Sequence, residues 1–176
     1  MKIDLKDIFD FYELRIKCHV DSLNYFASLL GYHFPEHDND KVKEPIRTGY
    51  AYIFYNQYHK GFHLKPEHIE LCHKAHDEHH IHSPHHIEYY KTVSDIPDIR
   101  LYEMVSDWAS ANFEQNEIIK DKNSVSLHKW FESISFLPWT RHQLEIINSA
   151  FNTFELKTDM AQISAIWKPV LSEFDL

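Results

Sequence analysis

Apolar side chains recur at close to every 3.6 residues along most of this chain, and no segment of useful length alternates with period two. The first stripe is Ile8, Phe11, Tyr12, Ile16, Val20, Leu23, Phe26 and Leu30. It predicts one long helix over Leu5–Leu30, N-capped by Asp4 and stopped at Gly31. His19 falls on that stripe and should point inward. A break follows through Gly31, Pro35 and the polar run Glu36 to Lys41. A tyrosine-rich second helix is predicted over Glu44–Tyr58, ended by Gly61. Pro66 suits the first turn of a third helix, running to about His82. On it Ile69, Cys72, His76 and His79 share one face, and His73, Asp77 and His80 share another. Pro84 disfavours helix at Ser83, so H-S-P is a turn, with a short helix expected to start at His85. Pro97 opens the next helix, which carries Leu101, Met104, Val105, Trp108 and Ala111, with Glu103 and Asp107 one turn apart on one face. The remainder reads as helices over Ser126–Ser135, from the N-cap Thr140 to about Glu155, and over Asp159–Leu171, the last distorted or ended by Pro169. The expected fold class is all-α.

Composition narrows this picture. A chain of 176 residues that is 43% hydrophobic suits one compact domain and is too apolar for disorder. Only 3 glycines occur, which argues against many tight hairpins. The formal charge is −9, and no basic patch is visible, which argues against nucleic acid as a sequence-independent partner. A small anionic substrate stays open, because bound divalent ions would reverse the local field. Cys18 and Cys72 form no C-x-x-C, a pattern that fits buried thiols in a reducing compartment. No stretch approaches the roughly 18 apolar residues of a membrane span. The charged start K-I-D-L-K-D lacks the apolar centre of a signal peptide. A cytoplasmic protein with no membrane partner is expected.

The chemistry lies in the order of residue types. His19 comes first, then His37-Asp38 in E-H-D-N-D-K, His85-His86 in H-S-P-H-H-I-E-Y-Y, and Asp107 in E-M-V-S-D-W. Imidazole and carboxylate together are the ligand set for Zn, Fe, Mn, Co or Ni. Each part also has a plainer reading. Neighbours on a helix point about 100° apart, so His37 and Asp38 cannot both aim at one point from a regular helical face. They can serve two sides of a metal cluster, with the carboxylate bridging, or simply lie in a polar loop. His85-His86 after a proline turn is stronger evidence than His37-Asp38, its plainer reading being a solvated turn, and the run H-K-A-H-D-E-H-H-I-H-S-P-H-H reads also as a loose surface binder of ions. Asp107 adjoins an apolar stripe, where a carboxylate is costly unless paired or metal-bound, or else it sits exposed just off that stripe. His59, His63, His68, His128 and His142 read as surface or satisfied core residues.

The series His19, His37-Asp38, Asp107 resembles the H…HD…D signature of the HD-domain superfamily of metal-dependent phosphohydrolases, which have all-α scaffolds. Two-metal branches of that superfamily insert further histidines, and here His79 and His85-His86 stand in that place. Lys41, three residues after Asp38, resembles the H-D-x-x-K in which the lysine lies near the substrate phosphate. The G-Y-P motif of the cyclic-dinucleotide branch is absent, so that substrate is not implied. A nearer resemblance is to a family of short bacterial and phage HD-like proteins of unknown function. Their pattern has an early helical His, then H-D-x-S-K, H-H-x-x-x-N-x-H-H-x-E-Y-W and M-P-x-x-x-x-E-M-x-x-D. This chain has C-H-V at 18–20, H-D-N-D-K at 37–41, H-H-I-E-Y-Y at 85–90 and I-P-D-I-R-L-Y-E-M-V-S-D-W at 96–108. It departs at Asp40 for Ser, Ser83 for Asn, Tyr90 for Trp and Ile96 for Met. The resemblance spans about residues 10–115. It favours His79 as a ligand, with His80 as the substitute if the loop is shifted by one.

These resemblances imply an HD-like helical bundle with core about 5–115 and a C-terminal helical extension about 122–176. They imply one or two divalent transition metals held by His19, His37, Asp38, His79, His85, His86 and Asp107. A hydroxide made by metal-acidified water would attack a small phosphoester such as a nucleotide, with Lys41 stabilising the phosphoryl charge. Glu103 would orient a ligand imidazole or a metal-bound water, or else pair with Arg100; Glu88 has the same ambiguity. Tyr50, Tyr52, Tyr89 and Tyr90 would line a base- or sugar-binding wall, or belong to the core. Two other functions remain open on the same residues: a di-iron oxygenase, and a non-catalytic metal-binding or interaction protein. The C-terminal aromatics, Phe131 to Trp167, would complete the core, cap the site or form a homodimer surface.

Overall fold

The computed structural model describes residues 4–174. Among them the regular structure is helical: α1 (Leu5–Leu29), α2 (Ile46–Tyr58), α3 (Pro66–His82), α4 (Asp98–Phe113), α5 (Leu127–Glu132), α6 (Arg141–Lys157) and α7 (Met160–Glu173). No strand is present among the described residues. The fold is all-α, as the hydrophobic period requires.

Helix α1 is the central element and packs against α2, α4, α6 and α7. Asp4 caps it by accepting from Lys6 N, and Gly31 follows its end at φ +83°, a conformation that costs glycine nothing. Its inward stripe is not wholly apolar. Arg15, His19 and Ser22 are buried in line with Phe11, Tyr12 and Leu23. Three buried polar groups on one helix face need partners inside the protein.

Helices α2 and α3 form a closely packed pair, and Gly49 allows the approach. A Cβ at that position would lie 2.3 Å from Ala75 Cβ and 2.6 Å from the Leu71 carbonyl oxygen. The buried line of α3 is Cys72, Ala75 and His79. This corrects the expected face: Ile69 and His76 turn to solvent, and Ala75 takes the place between Cys72 and His79. Helix α2 also begins later than expected. Ile46 is its first residue, and the Glu44 side chain instead accepts from Thr48 Oγ1 at 2.6 Å.

Helix α4 lies between α1 and α6, with Leu101, Met104 and Val105 fully buried. Its end widens into a π-turn over Glu114–Ile118. Helix α6 opens with a reciprocal cap: Gln143 N donates to Thr140 Oγ1 and Thr140 N to Gln143 Oε1. Helix α7 runs through Pro169 to Glu173, because the ring lies on the solvent side of the helix. It is neither ended nor confined to Leu171, as expected from its sequence. Ile147, Phe151, Ile163, Trp167 and Val170 are almost fully buried, so α6 and α7 complete the core around α1. Phe136 is left 80% exposed. No described helix is long and apolar enough to cross a membrane. Both cysteines are buried and unpaired.

Candidate metal centre

Four elements bring side chains to one buried point: α1 with His19, the loop after α1 with His37 and Asp38, α3 with its following loop carrying His79, His85 and His86, and α4 with Glu103 and Asp107.

The loop 31–45 carries the decisive pair and is pinned to α1. The Asn24 side chain holds both backbone atoms of Phe34, at 2.6 and 3.2 Å, and Tyr12 Oη donates to the Lys41 carbonyl at 2.9 Å. Asp38 sits in this loop at φ +61°, the left-handed region that non-glycine residues rarely adopt. This turn resolves the helical objection to the pair. His37 and Asp38 are on no helix, and the left-handed step lets both side chains meet the same centre, each 3% exposed. Strain of this kind persists where surroundings over-determine it, and often at functional sites.

Asp38 is the hub. Its Oδ1 lies 3.5 Å from His37 Nε2, 3.4 Å from His79 Nε2 and 3.4 Å from His85 Nε2. Its Oδ2 lies 3.5 Å from His19 Nε2 and 2.9 Å from Lys41 Nζ. Asp107 Oδ1 is 3.0 Å from His19 Nε2 and 3.6 Å from His37 Nε2. His86 Nε2 lies 2.8 Å from His79 Nε2. The seven expected ligands thus form two joined groups: His19, His37 and Asp107 on one side of Asp38, and His79, His85 and His86 on the other.

The outer edges of the imidazoles are held by protein acceptors. His37 Nδ1 faces Glu103 Oε1 at 3.1 Å, His79 Nδ1 faces Asp40 Oδ2 at 2.6 Å, and His19 Nδ1 faces Ser110 Oγ at 3.3 Å. His85 Nδ1 lies 3.7 Å from Glu103 Oε1. An imidazole whose Nδ1–H is donated outward presents a bare Nε2 lone pair inward, which is the arrangement of metal-ligating histidines. Three of the inward atoms, His37 Nε2, Asp38 Oδ1 and His85 Nε2, are buried and have no hydrogen-bond partner. Such orphans are costly unless something binds them. The inward contacts of 3.4–3.6 Å are too long for good hydrogen bonds. They match the spacing of about 3.3–3.6 Å between donors set tetrahedrally around a common ion at about 2.0–2.2 Å. These buried His and Asp groups could hold a metal ion, and the donor chemistry fits a divalent transition metal.

Protonation is uneven across the centre. Burial lowers the basicity of His19 and of His86, and brings His79 down to about 4, so these rings are neutral and able to ligate. Burial opposes charge on His37 too, but Asp38, Asp107 and Glu103 outweigh it and raise it to about 10. Burial would raise the Asp38 and Asp107 carboxyls. The facing His37 with Lys41, and the facing His19 and His37, hold them well below the usual carboxylate range. The carboxylates of Asp38, Asp107 and Glu103 thus favour the charged form of the His37 ring.

The alternatives left open by sequence separate here. His79 is fully buried at the centre, whereas His80 points to Glu88 at 3.3 Å on the rim. Glu103 makes both contacts at once, since Oε2 accepts from Arg100 at 2.6 Å while Oε1 faces His37 Nδ1 at 3.1 Å. Asp107 faces the centre, with its side chain 13% exposed. The short helix expected to start at His85 is a single 3-10 turn over Ile87–Tyr89, with His85 and His86 in the turn before it. Tyr50 lies at the centre with Lys41 Nζ 4.7 Å over its ring, and Tyr52 is buried against His68. Tyr89 is exposed, and Tyr90 donates to the Pro84 carbonyl, so neither joins Tyr50 in a common wall. His142 and His128 make surface pairs with Asp98 and Glu155.

Sequence reading passed over Asp40. It accepts from Ser83 Oγ at 3.2 Å while holding His79. Two of the four positions that depart from the resembled pattern, Asp40 and Ser83, therefore touch each other. A carboxylate exchanged for one small polar group beside an exchange in the facing loop was the available signal.

The sequence model of one family, described as a family of unknown function and designated DUF5662, matches residues 9–153. The chain belongs to DUF5662. The matched span covers every residue of the centre and runs on through most of α6, well past the 10–115 stretch that the sequence resemblance covered. No curated protein and no solved structure matches the chain.

Proposed function

We propose that this DUF5662 protein is a metal-dependent phosphohydrolase of HD type, acting on a small phosphoester. The observation that carries the reading is the inward convergence of imidazole Nε2 atoms on Asp38 while Asp40, Glu103 and Ser110 hold the Nδ1 edges. His19, His37, Asp38 and Asp107 would hold one ion, and Asp38, His79, His85 and His86 a second. When bound, one or two divalent ions (Fe, Mn, Zn, Co or Ni) would lower the pKa of a bound water toward about 7 and polarise a phosphoryl oxygen.

The chain's own residues supply position and charge. Lys41 Nζ is buried beside Asp38 at the margin of a cavity of about 240 Å³ that also exposes His19 and Asp107. It is the ammonium group placed to meet phosphoryl oxygens there. Glu103 fixes the His37 ring and is itself fixed by Arg100. The same nitrogen and oxygen donors suit a di-iron oxygenase, and the buried Lys41 favours phosphate over that alternative.

The test is phosphate release from a panel of phosphomonoesters and phosphodiesters by metal-loaded protein, with an oxygen electrode alongside. Release that requires metal, and is lost in Lys41→Met while metal content is kept, supports the reading. Oxygen uptake without phosphate release replaces it with the oxygenase. Neither activity, with metal bound, leaves a metal-binding protein.

A further inference from the structure

The cavity beside the centre has a second cationic wall that the proposed chemistry does not use. Arg15 lies one helical turn before His19 on α1 and is 2% exposed. Its Nε donates to Glu114 Oε1 at 2.8 Å, and its Nη2 pairs with Glu114 Oε2. Tyr58 Oη also donates to Glu114 Oε1, at 2.7 Å, so that carboxylate is well supplied with donors. The Arg15 guanidinium stacks on the Phe54 ring at 3.3 Å, which fixes its plane. One end is left over. Arg15 Nη1 is buried and has no hydrogen-bond partner. A guanidinium is always charged, and leaving its N–H groups unpaired in the interior carries the full desolvation cost.

Arg15 lines the same 240 Å³ cavity as Lys41, His19 and Asp107. The aromatic rings of Tyr50 and Phe54 form its side, and Gln57 stands at its exposed rim on α2. Pockets for drug-sized ligands measure roughly 300–1,000 Å³, so this one is small for a nucleotide. A compact oxyanion suits it better. Its oxygens would supply acceptors to Lys41 near the metal donors and to Arg15 Nη1 further along the wall.

We infer that this cavity binds a small phosphomonoester through its phosphoryl group, held between Lys41 and Arg15, and that it favours such a compact ligand over a nucleotide. The inference rests on the metal-centre reading and deepens it by naming the substrate class. Arg15 is then a substrate-binding residue, and Glu114 its positioning residue.

The experiment uses the full chain loaded with Co²⁺, whose visible absorption reports the centre directly. Inorganic phosphate, glycerol phosphate and AMP are titrated by calorimetry into wild type, Arg15→Lys and Gln57→Trp. Arg15→Lys keeps a charge beside Glu114 but removes the fork. Gln57→Trp obstructs the rim from an exposed position and leaves the buried pair intact, so it decides the matter if Arg15→Lys fails to fold. Phosphate and glycerol phosphate should bind wild type more tightly than AMP. Phosphate affinity should fall about tenfold or more in Arg15→Lys, and glycerol phosphate affinity in Gln57→Trp, at unchanged Co²⁺ content. Equal phosphate and glycerol phosphate affinities in all three proteins, or AMP as the tightest ligand, overturn the inference while leaving the metal centre standing. A wild type that takes up no Co²⁺ overturns both.

Discussion

Changing Glu103 to glutamine removes one negative charge and almost no volume, at a residue that the proposed ions would not touch. Its carboxylate accepts from His37 Nδ1 at 3.1 Å and pairs with Arg100 at 2.6 Å, with only 4% of its side chain exposed. An amide oxygen can still accept from His37, so the ring keeps its orientation. What is lost is the charge that makes the imidazole a better donor. Outer carboxylates of this kind typically account for 10–100-fold in metal affinity, or about 1.4–2.8 kcal/mol. Glu103→Gln should fall near the lower end of that range, and Glu103→Ala, which also frees the ring, near the upper. Loss of the Arg100 pair adds little, because the Arg100 side chain is 42% exposed and such pairs contribute about 0–1 kcal/mol. Arg100→Ala is therefore the control, with affinity close to wild type. The assay is competition for Zn²⁺ against a chelator of known affinity, with helicity checked by circular dichroism. A folded Glu103→Gln protein that holds Zn²⁺ as tightly as wild type would refute the claim that Glu103 supports a ligand imidazole.

Other consequences follow from single residues. Asp40→Ala should weaken metal binding by about tenfold through His79, leaving helicity unchanged; equal affinity would mean that the 2.6 Å contact has no bearing on ligation. Gly49→Ala forces a Cβ against Ala75 and the Leu71 backbone, and overpacking costs about 1–3 kcal/mol. Because rigid backbone is one of the neighbours, the cost should exceed the roughly 1 kcal/mol by which alanine is the better helix former, and a raised urea midpoint would contradict this. The metal-free protein should also show a pH dependence that the loaded protein lacks. His37 is raised from 6.5 to about 10, so its stabilising charge is fully present below 6.5 and lost as pH rises toward 10. Asp38 and Asp107 are lowered from 3.8, so their contribution is present above that value and is lost as pH falls below it. Melting temperatures of chelator-treated and metal-loaded protein between pH 6.5 and 10 test the alkaline limb, and a flat profile for the metal-free form would count against it.

The helices were legible because each carries its own local signal. Asp4, Thr140 and Asp159 cap as their positions demand, the stripe of α1 names most of its buried apolar residues, and that of α4 names Leu101, Met104 and Val105 but also Trp108 and Ala111, which are only half-buried. The residues that converge on Asp38 were legible through the order of residue types. What sequence could not show depends on contacts between distant segments. His37 and Asp38 reach one point only because the loop is pinned by Asn24 and Tyr12 and turns left-handed at Asp38. The face of α3 was misjudged because Ala75, a small residue with little hydrophobic signal, marks where α2 lies closest. Arg15 and Glu114 are 99 positions apart and neither stands in any motif, so their pairing was invisible. Pro169 misled for the opposite reason: its helix-breaking tendency is local, and the packing of Trp167 and Val170 overrides it.

Metal content by mass spectrometry, on protein purified without a histidine tag, tests the centre most directly when wild type is set beside Asp38→Ala. A closed centre with Asp38 as its hub predicts about one or two tightly held divalent transition-metal ions per chain in wild type, and their loss in the variant. No stoichiometric metal in wild type, or the same metal in both proteins, would contradict it.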